Sequence, residues 1–257
     1  MQVWIRKLPD EHPSSVNTAI ASCGFRRLGA EVTEYQDIKE ILSRVSRNDI
    51  VIDGVEQLNG YFSSLGIHNN TPDYPDVLLP FAGRTIQKDR LGSLRRNFTG
   101  PIFVKPTKEK LFPGTVIRTL TDWAPLVSFP LNQEVYCSPV LDLRSEYRVF
   151  VRYDRILDVR PYLGDYHFPF DPEELDRMLA AFTTWEQRPA GCAIDIAVTA
   201  EQKTVFLELN DACALGAYGL NPIDYALLIT ARWSQLLSFP DPYKTDTDGI
   251  LKSIPAT

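Results

Sequence analysis

The stretch Gly191–Asp211, GCAIDIAVTAEQKTVFLELND, most constrains what this chain can fold into. Two runs of alternating residues flank a short polar connection, the pattern of a β-hairpin. In the first run Ile194, Ile196 and Val198 take one face, and Ala193, Asp195 and Ala197 the other. In the second run Val205, Leu207 and Leu209 take one face, and Phe206, Glu208 and Asn210 the other, because strand side chains alternate. If Thr199 pairs with Thr204, Asp195 lies directly opposite Glu208. Facing carboxylates repel unless a cation sits between them. Oxygen ligands from Asp195, Glu208 and Asn210 suit a hard divalent ion such as Mg²⁺. The plain alternative is an exposed polar face with no ligand. Ala193, Ala197 and Phe206 do not look like a solvated face. Asp211 points to the opposite side if the strand continues, so it stays outside the ligand set.

A chain of 257 residues can bury a real core. No apolar run is long enough to span a membrane. The start, MQVWIRKLPDEH, lacks the apolar region and cleavage site of a signal peptide. Cys23, Cys137, Cys192 and Cys213 are scattered without a CxxC pair. Reduced thiols in a cytoplasm are therefore expected, rather than disulfides or a zinc site. The net charge of −6 argues against bulk nucleic-acid binding, without excluding it. Arg84–Lys110 departs from that average with a local net charge of +6. It suggests an anion site, although Arg90, Arg95 and Arg96 read more simply as a solvated helix face.

Val3–Arg6, Glu31–Tyr35 and Asp49–Gly54 read as strands. Between and behind them, helices are expected from a Ser14 cap to Leu28, from Ile38 to Val45 after Asp37, and from Val55 to Leu65. Alternating strands and helices imply βαβ units and a mostly parallel sheet. No GxGxxG loop marks a dinucleotide site. After a His68–Pro80 connection, Thr85–Phe98 reads as helical and Pro101–Pro106 as a strand. Lys105 ends that apolar strand and, if buried there, calls for an anionic partner. In the strand Glu146–Arg152, Glu146, Arg148, Phe150 and Arg152 share a face. At the Tyr153–Asp154 turn, a three-residue loop or a bulge puts Arg160 on the same side as Arg148; a two-residue loop does not. Salt-bridged surface arginines are the alternative. Asp171 and Pro172 open a helix to about Arg188, and Asn221 and Pro222 open the last one. Residues beyond Ser238 read as a poorly packed tail.

Four pieces stand in order: a lysine in FVKP, an acidic EVYC, an EYRVFV strand, and a hairpin ending FLELND. This order resembles the ATP-grasp superfamily. It is most similar to a phage and bacterial branch marked by arginines and a lysine. PFAGRTIQKDRLGSL, FVKPTKEKLFPGTVI, SEYRVFV and FLELNDACALGAYGL carry the likeness over about residues 75–225. It implies an α/β (α+β) ATP-grasp fold: an N-terminal α/β domain over 1–75, a central lobe over 76–134, and a C-terminal lobe over 135–257 with the metal-binding hairpin and terminal helix.

The resemblance also implies roles. Lys105, with Lys88 as a second candidate, would contact ATP phosphates. Glu134 to Cys137 would link the lobes, with the backbone of Val135, Tyr136 and Cys137 reading adenine. Glu146 would reach ribose or substrate. Arg148 and Arg160 would stabilise the transferring phosphoryl group or hold an anionic substrate. Asp195, Glu208 and Asn210 would hold Mg²⁺. The glycine-rich lid is reduced to TKEKLFPG, where Lys108 or Lys110 can substitute as charges. The activity implied is ATP-dependent ligation of a small-molecule or peptide carboxylate to an amine, through an acyl phosphate. A kinase-like phosphotransferase and a non-catalytic ATP-binding module are the alternatives. His12, His68 and His167 sit in unrelated loops; His167 could lie near the site, but a structural or exposed histidine is the simpler reading.

Overall fold

The computed structural model describes residues 1–9, 12, 15–108 and 111–244. The expected cap Ser14 and the lid residue Lys110 lie outside the described residues. The chain begins with a parallel sheet of β1 (Gln2–Arg6), β2 (Glu31–Tyr35) and β3 (Ile50–Ile52), in the order β2-β1-β3. Helices α1 (Ser15–Arg27) and α2 (Val55–Ser64) belong to this layer, α1 making the kind of connection that parallel strands require. The expected helix Ile38–Val45 is instead one 3₁₀ turn, Ile38–Glu40. Asp37 and Glu40 cap it reciprocally, and Ile41 then enters the core as the chain turns toward β3.

A second, antiparallel sheet holds β4 (Gln87–Arg90), β5 (Ile102–Pro106), β6 (Thr115–Ile117) and β7 (Glu134–Ser138), ordered β4-β7-β5-β6. The expected helix Thr85–Phe98 is thus split into β4 and a short α3 (Leu91–Arg96). Pairing of Lys88 with Tyr136 and of Asp89 with Val135 overrides the local helical pattern. Such override by tertiary pairing is common, since propensity is a weak prior. The boundary expected after residue 134 falls at the start of β7, and that strand stays with this sheet.

The third sheet is antiparallel, with β8 (Leu143–Arg152), β9 (Arg155–Gly164), β10 (Gly191–Thr199) and β11 (Thr204–Asp211) ordered β11-β10-β8-β9. One face carries Ile194, Ile196, Val198 and Val149 against Leu175, Met178 and Phe182 of α4 (Pro172–Thr183). Helix α4 ends before the expected Arg188. The other face carries Phe150 and Ala193 against Ala226, Ile229 and Trp233 of α5 (Pro222–Leu237) and against the first sheet. Because both faces are covered, every residue of β10 is buried.

The hairpin pairs Asp195 with Glu208, as expected, but not by the expected count. Val198, not Thr199, pairs with Thr204, and the register shifts between Asp195 and Ile196. Leu207 is the extra residue of this bulge, and it restores the Asp195–Glu208 pairing. It also moves Phe206 off the Glu208 face. Phe206 pairs with Ile196 and packs in that residue's core.

The segment after α5 is not a loose tail. Arg152 Nη2 donates to Asp241 Oδ2 at 2.7 Å and to the Tyr243 carbonyl at 2.9 Å. Tyr153 Oη donates to the same Asp241 oxygen at 2.8 Å. Partners so distant in sequence leave no local pattern. Residues 245–257 lie outside the described residues.

Helix α1 crosses α5 where Gly24 meets the Pro222 carbonyl. A Cβ on Gly24 would stand 1.8 Å from that oxygen. Gly→Ala in a helix ordinarily stabilises by about 0.5–1 kcal/mol. Gly24→Ala is expected to reverse that sign, costing about 1–3 kcal/mol through overpacking. Urea unfolding of the two proteins checks it; a more stable variant would remove the close contact.

Candidate active site

Backbone register places a row of charges across all four strands of the third sheet. Glu208 on β11 pairs with Asp195 on β10, Asp195 with Arg148 on β8, and Arg148 with Arg160 on β9. Paired residues project from the same face. Arg148 and Arg160 meet because a register shift between Phe150 and Val151 corrects the two-residue turn at Tyr153–Asp154. A second row crosses the second sheet: Lys88 on β4, Tyr136 on β7 and Lys105 on β5.

Lys105 joins the two rows. Its Nζ contacts Asp73 Oδ2 at 2.6 Å and also donates to Glu208 Oε2. The ammonium lies 5.5 Å from the centre of the Tyr74 ring. Burial works against its charge, but the Glu208 and Asp73 carboxylates outweigh it and raise its pKa. Burial likewise works to raise the Glu208 pKa, yet Lys105 and the Asn210 amide hold it below its ordinary value.

Arg148 grips Asp195 with two bonds, Nε to Oδ1 at 2.8 Å and Nη2 to Oδ2 at 2.6 Å. Asn210 Nδ2 donates to Asp195 Oδ2 at 2.9 Å and to Glu208 Oε1 at 3.3 Å. Burial, with Arg148 opposing it and the Glu208 and Glu146 charges adding to it, pushes the Asp195 carboxyl up to about 6. Tyr218 covers the Arg148 guanidinium at 4.3 Å and Tyr162 approaches it at 5.7 Å. Tyr162 Oη donates to Glu146 Oε2 at 2.8 Å. Arg160 Nη2 pairs with Asp158 Oδ2 at 2.5 Å.

The donor set suits a hard cation at its outer end. Glu208 and Asn210 face a cleft of about 1410 Å³, together with Lys105, Lys108, Arg148 and Asp73. Asp195 is 1% exposed and both its oxygens already accept hydrogen bonds. It fits a role in orienting Arg148 and Asn210 better than a role as an open ligand. Among the described residues, no group of three or more His, Cys, Asp or Glu has metal-binding geometry. The cation would therefore need oxygens from Asn210 and from its own ligand besides Glu208.

Glu134–Cys137 is a strand within the second sheet rather than the expected linker, and residues 139–142 make the connection to β8. Over Val135, Tyr136 and Cys137 both edges of β7 carry partner strands, so that backbone is not a free edge for a base. His167 is exposed, pairs with Asp165 at 2.7 Å, and does not line the cleft. Asp211 turns away from the row as expected, capping the Cys213 amide and pairing with Arg232 at 2.6 Å. Within the basic segment Arg84 bonds Ser138 Oγ and the Phe206 carbonyl, whereas Arg90, Arg95 and Arg96 are exposed. Sequence reading missed Asp73, Tyr74, Tyr162 and Tyr218. For Tyr162 a signal existed, since it alternates with Arg160 on β9. Asp73 and Tyr74 sit in an irregular segment without one.

A family model for an ATP-grasp domain, the second family of one clade within that superfamily, matches residues 81–228, more than half the chain. The chain belongs to the ATP-grasp superfamily. The matched span of this ATP-grasp chain includes both rows, from Lys88 to Glu208, as well as Asn210, and leaves out Asp73. Solved structures agree in fold. A RimK domain protein ATP-grasp from Sphaerobacter thermophilus DSM 20745 matches with TM-score 0.59 and 13% identity, over 91% of this chain and 99% of that one. D-alanine–D-alanine ligase from Bacillus anthracis complexed with ATP matches with TM-score 0.58 and 12% identity, over 93% and 99%. D-cycloserine synthetase DcsG matches with TM-score 0.58 and 12% identity, over 92% and 100%. A search of curated proteins finds no match. Among the described residues, no helix is long and apolar enough to cross a membrane.

The electrostatics of this ATP-grasp site carry a sign that can be tested. Glu208, ordinarily near 4.5, is held lower in the folded protein. Its contribution to stability is complete above its ordinary pKa and is lost as pH falls through the folded value. Lys105→Met leaves Asp73 and Glu208 without their shared cation and removes the charge that holds the Glu208 pKa down. The variant is expected to lose about 2 kcal/mol at pH 7, less than a fully buried pair would because these groups keep some exposure. The gap should close as pH falls below about 4. Urea unfolding of both proteins from about pH 7 to about pH 3 checks this, and a gap that widens toward acid would contradict it.

Proposed function

We propose that this chain is an ATP- and Mg²⁺-dependent ligase that activates a carboxylate and joins it to an amine. The observation that carries the reading is the pair of facing rows, Lys88–Tyr136–Lys105 and Glu208–Asp195–Arg148–Arg160, joined through Lys105. One row offers cations for phosphates. The other offers hard oxygens beside two guanidinium groups. Phosphoryl transfer needs this combination of positioning and charge neutralisation more than a covalent catalyst.

Lys105, with Lys88 farther along the same face, would hold the nucleotide phosphates. Glu208 and Asn210 would hold Mg²⁺, and Asp195 would orient Arg148 and Asn210. Mg²⁺, when bound, supplies positive charge that neutralises phosphate oxygens. Arg148 is held in direction by Asp195 and Tyr218, so it can meet developing negative charge without reorganising. Arg160 adds a second guanidinium on the same face. A substrate carboxylate oxygen attacks the γ-phosphorus, the bond from that phosphorus to the bridging oxygen breaks, and ADP leaves. The amine nitrogen then attacks the acyl carbon and phosphate leaves with the electron pair of the broken C–O bond. The amine gives up one proton to reach the neutral amide.

The cleft of about 1410 Å³ exceeds the usual size of a small-molecule pocket, as two ligands side by side require. Neighbours named for D-alanine–D-alanine ligase and D-cycloserine synthetase make amino acids the first acids and amines to test.

Glu208→Gln is expected to lower Mg-ATP turnover by at least about 10²-fold, the scale for loss of one charged transition-state contact, with thermal unfolding little changed. ADP release should require an acid and an amine together. Release with a single acceptor would replace the ligase with a phosphotransferase, and wild-type turnover in Glu208→Gln would remove the metal assignment.

A further inference from the structure

We propose that Asp73 competes with nucleotide phosphate for the Lys105 ammonium and thereby sets the affinity for metal-free nucleotide. This rests on the reading of Lys105 as a phosphate contact. Asp73 lies outside the family match and outside both rows. It belongs to the segment that leads from the first sheet toward the second, and its carboxylate reaches Lys105 Nζ at 2.6 Å.

That reach is built rather than incidental. The Leu209 amide donates to the Asp73 carbonyl at 2.8 Å, fixing the backbone beside β11. Two residues earlier, Thr71 Oγ1 donates to Asp211 Oδ2 at 2.6 Å and accepts from Arg232 Nη2 at 3.0 Å. Arg232 Nη2 also donates to Asn69 Oδ1 at 3.0 Å. The segment is therefore anchored on both sides of Pro72, and the Asp73 carboxylate is aimed at one cation.

The charge balance decides which partner yields. An ammonium has three N–H bonds. Glu208 and Asp73 engage the Lys105 nitrogen, and the face of the Tyr74 ring lies close by. A phosphate approaching this nitrogen meets two carboxylates that repel it. Glu208 is held on a strand of the sheet and bonded by Asn210 Nδ2 at its other oxygen. The contact described for the Asp73 carboxylate is with Lys105. Asp73 is the one that can rotate away at the cost of a single contact. Phosphate binding then exchanges one charged partner of Lys105 for another, and the net gain is small while Asp73 remains an acid.

The test uses the full chain and ADP in EDTA, titrated by calorimetry. Asp73→Asn keeps size and backbone anchoring but removes the charge. It is expected to tighten ADP by about tenfold or more, the equivalent of one charge-assisted hydrogen bond. The gain should vanish when Asp73→Asn is added to Lys105→Met. A merely structural Asp73 would not produce that dependence on Lys105. Unchanged or weaker ADP binding in Asp73→Asn, with Lys105→Met still weakening it, would overturn the proposal and leave the phosphate role of Lys105 standing. A gain that persists in the Lys105→Met background would also overturn it, because Asp73 would then act by simple repulsion. ADP affinity unchanged in Lys105→Met alone would remove the phosphate reading and the proposal with it.

Discussion

The Arg148 guanidinium held by Asp195 is the contact on which the rest of this structure depends. Both side chains sit on the two central strands of a sheet that is covered on both faces. Asp195 is 1% exposed and Arg148 8%. Ions so placed are tolerable only when each satisfies the other with good geometry and the leftover donors and acceptors find partners. Here the bond is two-pronged, Asn210 donates to the same carboxylate, and Tyr218 and Tyr162 lie against the guanidinium. With Asp195 neutralised in this way, Glu208 can occupy the opposing position on β11 and still present an oxygen to the cleft.

Lys105 does for the two sheets what Arg148 does within one. It starts from the second sheet and ends on Glu208 of the third. Its position brings the face carrying Lys88 and Tyr136 against the face carrying the acids and arginines. A polyphosphate placed between such faces meets lysines on one side and the oxygens of Glu208 and Asn210 with guanidinium groups on the other. The short connection over 139–142 lets the sheets approach while leaving each its own core.

Much of this was legible because alternation is a local property. Ile194, Ile196 and Val198 had to share a face with one another and not with Asp195, whatever the tertiary fold. The pairing of Asp195 with Glu208 was also reached, but through two departures that cancel. The hairpin loop is one residue longer than expected, and a bulge at Leu207 takes up the difference. Phe206 lies between the two departures, so alternation alone puts it on the wrong face. The sequence leaves the Arg148–Arg160 pairing open for the same reason, since register downstream of a turn depends on bulges that composition does not announce. The strand character of β4 and β7, and the anchoring of Asp241 by Arg152, depend on partners far away in sequence and so could not be read locally.

By itself, the sequence determined the alternating hairpin, the residue types of the anionic and cationic rows, the capped ends of α4 and α5, and the likeness to the ATP-grasp superfamily. These follow from side-chain periodicity, capping chemistry and motif order, all properties of neighbouring residues. Only the tertiary structure decided that Asp195 is occupied by Arg148, that Val135 to Cys137 lie inside a sheet, and that Asp73 reaches Lys105. Those facts depend on register between strands and on the path of an irregular segment, which long-range packing sets and local pattern does not.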